Sequence, residues 1–112
     1  MRDIKFRVWD NDMLKFYRFD FFDIPLVVAF SAPVMQFTGL KDKNGLDIYE
    51  GDIIEWEDGI TDKIIFLLGA FGYENECKEF VTLFDSNLNI LQVIGNIYEN
   101  PEFLWEIQTE PQ

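Results

Sequence analysis

The 112 residues carry a formal net charge of −12, no histidine and one cysteine, and 48% of them are apolar. A chain of this length and apolarity fits one domain and is too hydrophobic for a disordered one. The missing histidine excludes Ser-His and Cys-His nucleophile pairs, and the single Cys77 excludes a disulfide framework, which suits a reducing cytoplasm.

In chain order, Ile4, Phe6 and Val8 alternate with Lys5 and Arg7, predicting a half-buried strand that ends at Trp9. Asp10-Asn11-Asp12 reads as a turn, because Asn and Asp bond their own backbone and tolerate αL geometry. Alternation resumes from Met13 to Phe19, so residues 4–19 are expected to form a β-hairpin. Asp20 to Pro25 reads as an acidic loop containing the adjacent Phe21 and Phe22, and Pro25 argues against a central strand there. Leu26 to Phe30 and Val34 to Phe37 are short strand candidates.

Lys41 to Gly45 is the sharpest turn signal, since Asn44-Gly45 supplies two residues comfortable at positive φ. Ile48-Tyr49 leads to a corner at Glu50-Gly51-Asp52, and Ile53 to Trp56 follows as a strand. Asp58-Gly59 marks a further turn before a predicted strand over Ile60 to Leu68. Gly69 and Gly72 flank Ala70-Phe71 and predict a bend or bulge. Glu79 to Phe84 and Leu88 to Ile94 are expected as strands across Asp85-Ser86-Asn87. Asn100, followed by Pro101, fits the cap and first position of a short helical turn. Beyond it the tail is polar and expected to fray. The pattern predicts a single mainly β domain, a small barrel of SH3-like or related type. Residues 1–34 would supply an N-terminal hairpin and a variable segment, 35–104 the barrel core, and the chain would close on the C-terminal helical turn.

Charge is unevenly placed. Residues 1–43 hold seven Lys or Arg against six Asp or Glu, whereas residues 44–112 hold two against fifteen. The acidic part repels phosphates and anionic lipid headgroups, so neither nucleic-acid nor membrane binding is expected. The opening Arg2, Asp3, Lys5 and Arg7 interrupt any leader-like apolar run, and Ile24 to Ala32 is too short to span a bilayer.

No catalytic, metal or cofactor site is read from the residues. Cys77 lies among Glu74, Glu76 and Glu79, a poor setting for a nucleophile. Without histidine a lone cysteine builds no zinc site. In Asp42 to Asp47 the glycine falls fourth from the first Asp, where a calcium loop of the EF-hand type has it sixth. Glu55, Glu57 and Asp58 either hold a hard cation weakly or face solvent. Gly69 to Gly72 lacks the ending of a phosphate loop.

Three segments, MRDIKFRVWD at the start, MQFTGLKDKNGLDIYEGDII from Met35 and VIGNIYENPEFL from Val93, resemble the YopX-like family of small phage and prophage proteins. The resemblance implies a mainly β fold, a phage or prophage origin and hence a bacterial cytoplasm, but no activity. Two functions are therefore expected as alternatives. One is a non-catalytic module that binds a protein partner or its own copies, with Phe21, Phe22, Phe103 and Trp105 as candidate interface anchors. The other is an acidic, nucleic-acid-mimicking inhibitor of a host defence or DNA-binding protein. Its candidate surface is Glu55, Glu57, Asp58, Glu74, Glu76 and Glu79, which otherwise form a solvated face.

Overall fold

The computed structural model describes residues 4–20 and 33–103, and their regular structure is mainly strands. The N-terminal hairpin pairs β1 (Lys5–Asp10) with β2 (Lys15–Asp20), and β3 (Val34–Lys41) and β4 (Asp47–Tyr49) extend it into a four-stranded sheet of order β2-β1-β3-β4. Its turn spans Asn11–Leu14, where the Asp10 carboxylate accepts the N–H groups of Asp12 and Met13. The expected alternation is only half realised: Ile4 is exposed, while Arg7, Val8 and Trp9 are all buried. Both faces of β1 are covered there, because the Arg7–Trp9 face meets Phe16, Tyr49 and Tyr98.

A second sheet has the order β10-β5-β6, from β5 (Asp52–Trp56), β6 (Thr61–Lys63) and β10 (Leu91–Asn96). A third has the order β7-β8-β9, from β7 (Ile65–Leu67), β8 (Ala70–Glu74) and β9 (Phe80–Thr82). The single strand expected over Ile60 to Leu68 is thus broken at Ile64. Ile64 exchanges backbone bonds with Gly51 and Asp52, which turns β7 out of the second sheet and into the third. Leu68-Gly69, with both residues at positive φ, is a hairpin turn rather than a bulge, and Ala70-Phe71 begins β8. Gly72 is required by packing: a Cβ there would lie 2.1 Å from the Val81 carbonyl oxygen on β9.

Leu83–Asp85 and Leu88–Ile90, read as strand ends from their apolar residues, are 3-10 turns. Consequently β9 pairs with β8 and β10 pairs with β5, and the two do not pair across Asp85-Ser86-Asn87. Leu26 to Phe30 lies outside the described residues. At the C-terminal end the Phe103 N–H bonds the Asn100 carbonyl, and the expected helical turn is described no further.

The core joining the sheets is mainly aliphatic: Ile48, Ile54, Ile64, Leu83 and Leu91, with Phe71 as its one aromatic member. Trp56 packs at its margin, whereas Phe66 is 50% exposed. A separate group of rings lies between the N-terminal hairpin and Tyr98, where Trp9 stacks on Tyr98 at 5.6 Å and tilts against Phe16 at 4.9 Å.

Candidate functional site

Two clefts lie toward opposite ends of the β5–β10 ladder. The larger, of about 550 Å³, opens at the Asp52–Asn96 end, between the N-terminal sheet and β10. Its inner wall is set by Arg7 on β1. The guanidinium lies 4.3 Å from the Phe16 ring centroid and 4.8 Å from that of Tyr49. It pairs with the Asp52 carboxylate at 2.8 Å, both side chains being almost wholly buried, and donates to the Glu50 carbonyl at 3.2 Å. Asp52 also accepts the Tyr49 N–H at 2.7 Å. Burial pushes its carboxyl above the ordinary value, and Arg7 and the Tyr49 N–H only partly oppose this.

Gly51 makes this corner possible. It adopts φ +88°, and a Cβ there would sit 2.9 Å from the Met35 sulfur. The corner expected from Glu50-Gly51-Asp52 is therefore the hinge that presents Asp52 to Arg7.

The outer wall carries Arg18 on β2 and Lys41 on β3, together with Asp47, which bonds both Lys5 and Lys41 at 2.9 Å. Burial works to raise the Asp47 carboxyl, but the two lysines outweigh it and hold it below its usual value. Asp42, in the neighbouring turn, is a latch. One carboxylate oxygen accepts the N–H groups of Asn44 and Leu46, and the other that of Val93 on β10.

The smaller cleft, about 340 Å³, lies beyond the Trp56–Leu91 end. Asp58 and Asp62 reach it from the β5–β6 hairpin and Glu76 from the β8–β9 turn, around Trp56. The Trp56 indole N–H donates to Asp62 at 2.7 Å, and its ring packs on Tyr73 at 5.2 Å. Burial raises the Asp62 carboxyl; the indole opposes this, and Glu76 and Asp58 add to it.

The six acidic residues picked from the sequence do not form one array. Ile54 faces Asp62 and Glu55 faces Thr61 across the ladder, so Glu55 and Asp62 point to opposite faces of it. Glu55 accepts from Gln92 at 3.2 Å. Glu74 is a loose surface partner of Lys78 at 3.9 Å, and Glu79 is exposed. Only Asp58 and Glu76 of the six meet in the cleft. In the sequence Asp62 reads as an isolated acid within the strand predicted over Ile60 to Leu68, and only the Ile54–Asp62 register reveals its place beside Trp56. Among the described residues no three of His, Cys, Asp and Glu gather as a metal site, and no helix is long and apolar enough to cross a membrane. Of the candidate anchors, Phe103 is half-buried; Phe21, Phe22 and Trp105 lie outside the described residues.

A third surface was not picked from the sequence. Phe66, Leu67 and Leu68 form a run of exposed apolar side chains on β7 and its turn, at 50%, 43% and 91% exposure. β7 is an edge strand of its sheet, and residues 64–73 carry no charge.

A family model described as YopX protein matches residues 24–105, most of the chain. The chain belongs to the YopX family. The YopX match takes in β3 to β10, hence the Asp52 corner, the acidic cleft and the β7 edge, but not the hairpin that carries Arg7 and Arg18. The chain is also similar, at 25% identity, to the crystal structure of protein EF1440 from Enterococcus faecalis. That likeness covers 93% of this chain and 99% of the other, with a TM-score of 0.66. No curated protein matches the chain.

Proposed function

We propose that this YopX protein is a non-catalytic self-assembling module, of phage or prophage origin, whose copies join through the β7 edge. The carrying observation is the run Phe66-Leu67-Leu68. Three consecutive exposed apolar residues on a sheet edge are a liability in a monomer unless a partner covers them. A second copy suits this edge because two β7 strands can meet about a two-fold axis, each presenting the same face. The charge pattern supports the same occupant. In a chain of net charge −12, the uncharged stretch 64–73 is a place where two copies can approach without carboxylate repulsion. The three small sheets around one aliphatic core support an SH3-like barrel as the scaffold. The lack of histidine supports a binding role over a catalytic one.

Sedimentation equilibrium of the full chain tests this reading. The wild type is expected to sediment as a dimer or larger assembly, and Leu67→Asp as a monomer with an unchanged far-UV spectrum. A monomeric wild type, or an assembly that Leu67→Asp leaves intact, overturns it.

The nucleic-acid-mimicking reading draws on Asp58, Asp62 and Glu76 in one cleft. A mimic needs carboxylates ranked along one face at phosphate-like spacing. The opposed directions of Glu55 and Asp62 lend that less support than the apolar edge lends self-assembly.

A further inference from the structure

Arg7 and Arg18 stand directly opposite each other across the β1–β2 ladder. Like charges at facing positions are destabilising, so an Arg–Arg pair is an unusual choice unless negative charge lies over it. Among the described residues the carboxylate nearest this pair is Asp52, which forms its ion pair with Arg7 and accepts the Tyr49 N–H, and which acts on Arg18 only through space. Arg18 forms no ion pair among the described residues, and the Arg7 Nε is buried without a hydrogen-bond partner. Both arginines line the 550 Å³ cleft, with Lys41 at its outer wall. The other lining carboxylates are bonded too: Asp47 to two lysines and Glu99 to the Asn96 amide at 2.8 Å. Among the described residues that line the cleft, Arg7 and Lys41 each have an ion-pair partner and Arg18 is the cation without one, in a chain of net charge −12.

The geometry points to a binding site for a small phosphate-bearing molecule in this cleft, with Arg18 and Lys41 contacting the phosphate above the buried Arg7–Asp52 pair. A guanidinium presents a planar fork of donors matched to phosphate oxygens, and lysine adds a mobile point charge. The cleft volume lies in the range of small-ligand sites and exceeds what a bare ion fills. An anion placed over Arg18 would relieve the facing-arginine repulsion that the fold leaves incompletely offset. The inference is independent of the β7 assembly, since β7 contributes nothing to the cleft.

The test is titration of the full chain with inorganic phosphate, then with a nucleoside 5′-monophosphate and with succinate, following backbone amide signals at constant ionic strength. The amides of Gly45 and Gly95, which line the cleft, are expected to shift and saturate with both phosphates but not with matched chloride. Arg18→Gln, at an exposed position whose loss leaves the fold intact, is expected to weaken that saturation about tenfold or more. Lys63→Gln, outside the cleft, is expected to leave it unchanged. Chloride acting like phosphate, or phosphate binding unaltered in Arg18→Gln, overturns the site. Saturation by succinate alone overturns the phosphate assignment.

Discussion

Arg7 is held on three sides by groups that each demand the others. Phe16 and Tyr49 cover the guanidinium, and Asp52 neutralises it in a place from which water is excluded. The attraction within such a pair roughly offsets the cost of removing two ions from water, so its net contribution is small, but breaking it is costly. Arg7→Met is therefore expected to lower stability by about 3–5 kcal/mol, because it strands the Asp52 carboxylate. Adding Asp52→Asn should recover a large part of that loss, since an amide still accepts the Tyr49 N–H and carries no charge. Urea denaturation of both single variants and the double variant checks this. Additive losses would show that the pair contributes nothing as a pair. The burial of Arg7 was masked by a tidy pattern: Ile4, Phe6 and Val8 claim one face, leaving Lys5 and Arg7 the role of solvated residues. The signal that points inward is Trp9, which shares Arg7's face and is too large to leave in water.

Among the elements, the turns and the N-terminal hairpin were legible, and the pairings among the later strands were not. Asn44-Gly45, Glu50-Gly51-Asp52 and Asp58-Gly59 all turn the chain where expected, with Gly45, Gly51 and Gly59 at positive φ but not Asn44. Turn chemistry is local, so the residues announce it. The break at Ile64 depends on backbone partners from the Gly51–Asp52 corner, twelve residues upstream, and nothing between Ile60 and Leu68 signals it. The facing of Arg7 and Arg18 was equally hidden, because it rests on the register that the Asn11–Leu14 turn imposes. Likewise Glu55 and Asp58 are near neighbours in sequence, yet only Asp58 lines the acidic cleft, because Glu55 lies on the other face of the β5–β6 ladder from Asp62. Asp42 shows how much a turn residue can do beyond turning. Its buried carboxylate closes the β3–β4 turn and holds β10 through the Val93 N–H at 2.8 Å. Asp42→Ala is expected to cost roughly 3 kcal/mol, as several N–H groups lose a charged acceptor. Asp58→Ala, which removes one exposed bond to the Ile60 N–H, should cost clearly less. Thermal melts of the two variants, with amide exchange at Val93, compare them; equal losses would contradict the latch.

For the whole molecule the question is how a chain of net charge −12 places its carboxylates, and Asp47 and Asp62 give opposite answers. Burial raises the Asp62 carboxyl above 3.8 with the help of Glu76 and Asp58, against the Trp56 indole. The native state therefore binds that proton more tightly than the unfolded chain does. The contribution of Asp62 to stability is largest below pH 3.8, declines as pH rises through the interval between 3.8 and the raised value, and is flat above it. At Asp47 burial is overcome by Lys5 and Lys41, so its carboxyl lies below 3.8. Its contribution is complete above 3.8 and is lost as pH falls through the lowered value. Asp62→Asn keeps an acceptor for the indole and removes the titration. Its stability relative to wild type is expected to rise as pH climbs above 3.8 and then to hold a constant advantage toward neutrality. Urea midpoints from about pH 3 to pH 7 measure the difference. A difference that does not change with pH would mean that Asp62 titrates as a solvated carboxyl. The acidic cleft would then carry no strain from its own charges.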